Sequence, residues 1–550
     1  MVSNTNFLKN VKIDILRVIL IGVCLVLVFP FTSTAQPFTL ATGGCPMVHC
    51  DPAMSDVSPS LPPSGEISLL WKRYEDARVC AWCATANDRV ACSFQNTDNP
   101  DLDNLVVYDF DGNLLFTDSG ILGSTAGLSG HLMGNDGGLI VADKDKVVRF
   151  DPLGQVVWMT PTNGQGGDQP LSLNLTESGQ IVIASRNGPI AAYDKETGVQ
   201  TSVLSPNLNL SIGSYGSLNT VGAAGNRIYF LGSRFPNKGA LVAIDVSPTA
   251  MTQVWSFPFR SESGASPYVS GDTIFFDGEG LDGGERAPKV FAVKDLGTSG
   301  QLLWTYDIPT NERLISSINK DPRGGIWFYP RPIYGRLTRL DEHNGNLIEE
   351  IDYSALVNAA NPLGINTSTT IFSKNGQTYM SFGVTPSPPT ATGQSFLVVL
   401  NLDTRSIHFK YKLSDNALNF LNAGSAPLLT VEKNAKTRLV AGTTNFGVMC
   451  FGNISEDPND PDPPTPDPPT SRAKAKGETL LRLYVSPGTL SYPTGSTLQL
   501  YNLQGRRLLD VRLDGAPQVA VDTLIPSVYL ARVLSPGGTL LHTQCLWLYN

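Results

Sequence analysis

The chain has 550 residues, of which 41% are hydrophobic and 16% charged, so it carries enough apolar material for a large core. Its 52 glycines and 39 prolines argue against long helices and for frequent turns. A net charge of −9, without dense Lys/Arg patches, excludes a nucleic-acid partner.

At the N-terminus, Lys9, Lys12 and Arg17 precede an apolar run from Val18 to Phe29 and a small-residue stretch from Thr32 to Ala35. That order predicts a signal peptide over residues 1–35, cleaved between Ala35 and Gln36. The apolar run is short against the roughly 20 residues a spanning helix needs. Val23 before Cys24 does not suit lipid attachment. A Cys-containing segment, residues 36–64, follows. Cys45, Cys50, Cys80, Cys83, Cys92 and Cys450 form an even set, which in an exported chain suggests disulfides with the pairing left open. Cys545 stands apart in the tail. The Cys80-x-x-Cys83 spacing has no second pair and no βαβ surroundings, so a structural disulfide is expected over zinc or redox chemistry.

Between residues 65 and 455 one unit of about 45 residues recurs eight times. Each copy has a strand that opens near Gly, Asn or Asp: Arg89–Phe94, Gly138–Asp143, Gly179–Ser185, Asn226–Gly232, Asp272–Gly278, Gly325–Pro330, Gly376–Gly383 and Thr437–Gly442. A hairpin with Asp and often Gly in its turn follows in step: Val106–Phe116, Val147–Trp158, Ile190–Leu204, Leu241–Trp255, Val290–Trp304, Leu337–Ile351 and Leu397–Tyr411. The eighth stops early, at Gly447–Asn453. One small sheet cannot bury both its faces, so the copies must stack around an axis. The missing rim strand of the eighth copy stands before the first, where Leu69-Leu70-Trp71 matches the strand ends at Trp158, Trp255 and Trp304. The expectation is an all-β, eight-bladed β-propeller, seven-bladed if the first repeat is degenerate. Pairing of the Trp71 stretch with the segment near Phe451 would close it.

The pattern of strand, A-x-D, T-G turn and strand ending in Trp is clearest in Gly179–Leu204, Asn226–Trp255 and Asp272–Trp304. It resembles the repeats of pyrroloquinoline-quinone-like propellers. That family includes quinone-dependent dehydrogenases and cofactor-free binding or scaffold propellers. The dehydrogenases carry an adjacent cysteine pair beside the quinone, and this sequence has no such pair and no convincing Glu/Asn/Asp set for the accompanying calcium. The resemblance implies the fold and weakens the cofactor.

Residues 456–473 form a linker whose stretch Glu456–Ser471 holds seven prolines and five acidic residues, an extended spacer. Residues 474–550 predict a separate small β-sandwich, with strands at Leu498–Tyr501 and Val528–Val533. Leu500–Arg506 (including Tyr501, Gly505 and Arg506), Leu524–Pro526, Tyr529–Arg532 and the last strand resemble the C-terminal sorting domain of type IX secretion cargo in Bacteroidetes. The opening motif departs from the pattern as Tyr484-Val485-Ser486-Pro487, and a glycine is replaced near Ser527. The resemblance implies that an outer-membrane type IX translocon reads the tail. The chain would then be secreted or held at the cell surface, without a transmembrane segment in its mature form.

Chemistry is sparse. None of the five histidines has metal-ligand spacing, and neither G-x-S-x-G nor a phosphate-cradling loop is present. Asp98–Asn104 and Asp277–Glu285 offer hard oxygen ligands for Ca²⁺, but lack EF-hand spacing and read first as solvated turns. The longer insertions are Gln95–Asn104, Ser119–Gly130, Ser205–Leu218, Gly278–Lys289 and Thr385–Gln394. All fall on joins that share one propeller face, which is therefore expected to carry the activity. Trp327, Tyr329 and Arg331 approach that face and are candidates for stacking on a sugar or peptide, with core packing the simpler account of Trp327. The reading is a secreted or surface-attached propeller that binds protein or glycan, with no catalytic, cofactor or metal residue assigned. The alternatives are an extracellular lyase, hydrolase or divergent quinoprotein using loops of one face, and a scaffold for envelope assembly.

Overall fold

The computed structural model describes residues 36–453 except 74–78, 96–102, 124–129, 163–169, 186–188, 206–219, 235–237, 261–262, 264–265, 285–286, 310–317, 331–334, 358–362, 366, 387–393, 415–427 and 444–446. Beyond these it describes 480–482, 496–501, 507–513, 518–520, 527–535 and 540–548. Contacts divide the chain into two units, residues 1–458 and 459–550.

In the first unit, eight sheets of antiparallel blade strands form an eight-bladed β-propeller, with Val57–Ser58 adding parallel to the inner strand of blade 7. From axis to rim, blade 1 consists of Val79–Ala86, Arg89–Gln95, Leu105–Asp109 and Leu114–Thr117. Blades 2 to 6 repeat this order, with inner strands at His131–Met133, Pro170–Leu175, Gly222–Ala224, Tyr268–Ser270 and Asn319–Lys320. Blade 7 is built on Thr370–Lys374, Gln377–Pro386, Ser395–Asn401 and Ser406–Ser414. Blade 8 has three strands of its own, Leu429–Lys433, Lys436–Gly442 and Val448–Asn453. Its rim strand is Ile67–Arg73, with Leu69 opposite Phe451 and Trp71 opposite Cys450. The ring closes as the sequence predicts.

The repeated Asp, Gly and Trp have separate tasks. In the hairpin of blade 1, Asp109 Oδ1 accepts the backbone N–H groups of Asp111 and Asn113, which fixes the turn. Asp151, Asp194, Asp341 and Asn401 do the same in their own blades. The glycine of the turn lies under an aromatic ring from the rim strand of the preceding blade. A Cβ on Gly112 would stand 2.7 Å from the Trp71 ring, and one on Gly198 would stand 2.4 Å from the Trp158 ring. Their φ angles, 82° and 71°, also lie where only glycine is comfortable. Gly154 under Phe116, Gly300 under Trp255 and Gly345 under Trp304 repeat the contact. The indole N–H of Trp71 donates to Phe110 O at 3.3 Å, that of Trp158 to Lys195 O and that of Trp304 to Glu342 O. Trp255 instead donates to the Asp295 carboxylate at 2.9 Å. The Trp of one repeat is thus the latch on the next.

In the second unit, Arg507–Leu513, Ser496–Tyr501, Ser527–Leu534 and Leu540–Leu548 form a four-stranded antiparallel sheet, and Leu480–Arg482 pairs with Gln518–Ala520. Tyr501 and Tyr529 lie on neighbouring strands of that sheet, with Tyr501 opposite Leu530. Ala35, Gly505, Arg506 and Pro526 lie outside the described residues. Among the described residues no helix is long and apolar enough to cross a membrane.

Trp71 is 5% exposed and tilted against Tyr108 in the core between blades 8 and 1. Its replacement by alanine removes both the ring and the latch, and is expected to cost about 3–5 kcal/mol of stability. Urea denaturation of the Trp71→Ala protein checks this; a loss below about 1 kcal/mol, the scale of a surface change, would mean the ring is closed by other contacts.

Candidate functional site

The inner strand of each blade pairs with the second strand on one side only. Its other edge faces the axis and presents backbone groups that need partners. Residues 38–60 supply them. Thr85 N of blade 1 donates to Cys45 O at 2.9 Å, and Met133 N of blade 2 donates to Pro46 O at 2.8 Å. Ala223 N of blade 4 reaches Pro52 O at 2.7 Å, and Val269 N of blade 5 reaches Ala53 O at 2.9 Å. Lys320 N of blade 6 donates to Ser55 O at 3.0 Å, and Ile371 N of blade 7 to Asp56 O at 2.7 Å. Side chains complete the circle: Asn174 Nδ2 of blade 3 donates to Pro52 O, and the Ser58 and Thr430 hydroxyls meet at 2.9 Å on blade 8. The N-terminal segment is an axial plug that touches all eight blades.

The plug is tightly folded. The Cys45–Cys50 disulfide closes one of its turns, and Gly44, His49, Cys50, Met54 and Asp56 all take positive φ. Inside it, Asp56 Oδ1 lies 2.8 Å from His49 Nδ1, and His49 Nε2 lies 3.0 Å from Ser266 Oγ. The connectivity is that of a nucleophile triad. Ser266 is 0% exposed, however, so here the relay ties the plug to blade 5.

Beside the plug, the turns between inner and second strands of blades 5, 6 and 7 leave a cavity of about 460 Å³. Asp51, Ser55, Tyr268, Ser270, Lys320 and Ser373 are among its lining residues. Asp51 accepts Ser55 N–H at 3.1 Å and the Ser55 hydroxyl. Burial raises the Asp51 pKa above the ordinary carboxylate value, outweighing these hydrogen bonds and the charge of Lys320. Burial likewise pushes the Tyr268 phenol up to about 12. This mouth lies on the face of the short turns. The opposite face, to which the sequence assigns the activity, carries the long insertions, of which residues 96–102, 124–129, 206–219, 285–286 and 387–393 lie outside the described residues.

The other candidates are dispersed. Trp327 is 0% exposed and donates to Asp321 Oδ2 at 2.9 Å, and buried Tyr329 donates to Thr367 O at 2.7 Å. Both are core residues, so neither ring is free to stack on a ligand; Arg331 lies outside the described residues. Among the cysteines, Cys83 bonds to Cys92, which faces it across the ladder, and not to Cys80. A register shift between Cys80 and Trp82 still brings Cys80 Sγ within 3.5 Å of Cys83 Sγ. Cys80 and Cys450 therefore keep their thiols, both raised in pKa by burial, Cys450 to about 12. The even set does not pair completely. In the acidic loops, Asp277 is buried and accepts the Ser263 hydroxyl, while Asp98, Asp101 and Glu285 lie outside the described residues. The sequence has no adjacent cysteine pair of the kind that flanks the quinone in quinone-dependent dehydrogenases, and residues 38–60 occupy the inner edges of the blades.

No family model and no curated protein matches this sequence. Among solved structures, the chain is similar to the quinohemoprotein alcohol dehydrogenase from Comamonas testosteroni at 13% identity and a TM-score of 0.50, covering 75% of this chain and 81% of that one. BamB from Moraxella catarrhalis matches at 11% identity and a TM-score of 0.46, over 70% of this chain and 100% of that one. At such identity the likeness is one of fold alone.

Replacing Cys45 and Cys50 by serine is expected to cost about 2 kcal/mol, the chain-entropy value for so short a loop. Hydrogen exchange should quicken first at the amides of Thr85 and Met133, which donate to Cys45 O and Pro46 O, and then at Ala223, Val269, Lys320 and Ile371. Unchanged protection at these amides, with stability lost elsewhere, would show that the plug does not hold the inner edges.

Proposed function

We propose that this chain is an exported propeller that binds a protein or glycan ligand outside the cell. The observation that carries this reading is the plug. It lines the axis with the chain's own backbone and leaves a polar mouth on one face, a geometry suited to holding a ligand on preorganised walls. The walls stand on turns fixed by strand pairing and latched blades, so little order has to be gained on binding. Glycan and peptide arrays probed with the mature full chain are expected to give saturable binding to one of these classes. Silence on both, together with turnover of a polysaccharide or peptide substrate, would favour the enzyme instead.

Export is the second half of the proposal. The signal-peptide pattern of residues 1–35 supports passage across the inner membrane, and the motif around Tyr501, Gly505, Arg506, Pro526 and Tyr529 supports recognition by a type IX translocon. The boundaries follow as a plug over 36–64, a propeller over 65–455, a linker over 456–473 and a sorting domain over 474–550. In a host with that translocon, the full chain should appear in the medium or on the cell surface, and a chain ending at residue 473 should stay in the periplasm. Equal export of both would remove the sorting role from the tail.

A further inference from the structure

We propose that the cavity between plug and turns is a carbohydrate site that takes the uncharged terminal sugars of a glycan. The inference rests on the reading of the propeller as a binding module and narrows its ligand to one class.

Charge is the first argument. Asp51 and Lys320 are the two charged residues in the lining, and they are of opposite sign. An anionic ligand in about 460 Å³ meets Asp51, and a cationic one meets Lys320. A neutral ligand rich in hydroxyls satisfies both, because each hydroxyl donates to a carboxylate or accepts from an ammonium. The remaining polar lining is of the same kind: Ser270 and Ser373 offer hydroxyls that both give and accept hydrogen bonds, while the Tyr268 hydroxyl is buried behind the wall. Pro59 and Pro322 add rigid apolar surface at the rim, suited to the C–H face of a sugar ring.

A peptide is the competing ligand, and the fold disfavours it here. An extended peptide is commonly held by adding as a strand to an exposed sheet edge, and at the axis such edges belong to the inner strands. At Ala223, Val269, Lys320 and Ile371 those edge amides already donate to the plug. What is left open is a mouth lined by side chains, of a size within the roughly 300–1,000 Å³ of small-ligand sites.

Calorimetric titration of the mature full chain with neutral trisaccharides of glucose, mannose and N-acetylglucosamine, each beside an acidic counterpart, tests the assignment. At least one neutral sugar is expected to bind, with its acidic counterpart weaker. Lys320→Met removes the ammonium but leaves the backbone bond from Lys320 N to Ser55 O, and should weaken binding about tenfold, the value of one hydrogen bond to a charged group. Ser373→Trp fills the mouth and should abolish binding. Failure of all three neutral sugars, preference for an acidic one, or full affinity in both variants overturns the inference. Glycan binding that survives Ser373→Trp or peptide binding on the array would leave the binding role standing, whereas silence everywhere would remove both.

Discussion

The ring leans on a contact that recurs at the joins of blades 8 to 1, 1 to 2, 2 to 3, 4 to 5 and 5 to 6: an aromatic side chain from a rim strand laid on the glycine of the next blade's hairpin turn. Trp71 on Gly112 is the copy that matters most, because it joins the last blade to the first. The ring covers backbone that has no side chain to hold it off, and the indole N–H is satisfied by a backbone oxygen of the same turn. Position is fixed in two ways at once, by van der Waals contact and by a directed hydrogen bond. Where a Trp makes the contact, a blade cannot slide on its neighbour without losing both. The latch sets the distance between blades and hence the width of the axis that the plug must fill.

Axis and rim are served by one stretch of chain. After the Ser58 contact with Thr430, Ser60 donates to Glu432, the Pro63 carbonyl accepts from His408, and the Ser64 carbonyl accepts from Asn453. The chain then enters the rim strand Ile67–Arg73. Residues 38–73 thus run from the centre of the propeller to its edge across blade 8. The polar mouth lies where the plug passes the inner turns of blades 5 to 7 and supplies one wall, while Lys320 and Tyr268 supply another.

The parts legible in the sequence were those whose side chains announce their work. Asp at the turn, Gly after it and Trp at the strand end are chemical requirements, so their period revealed the blades and the missing rim strand. The inner strands left no such mark. His131–Met133, Gly222–Ala224, Tyr268–Ser270 and Asn319–Lys320 have two or three residues each, too few to show alternation. Their stability comes from backbone bonds to the plug, which select no residue type. The plug was invisible for the same reason, apart from its cysteines. Asp51 and Lys320 lie far apart in sequence and meet only because the chain is wound through the ring. Trp327 misled because it lies in a second strand that leads toward the loop-bearing face; its indole points instead to Asp321, at the short-turn side.

The double commitment of residues 38–73 also fixes a timetable. These residues leave the ribosome before any blade, yet their last partner is Asn453, near the far end of the propeller sequence. Neither the filled centre nor the finished rim of blade 8 can exist before synthesis has passed that point. A nascent chain is an open arc of blades with loose ends, and contacts of such long sequence separation form slowly. Under the export proposed above, late locking would be an advantage: the ring is sealed only when the chain's own beginning returns to it.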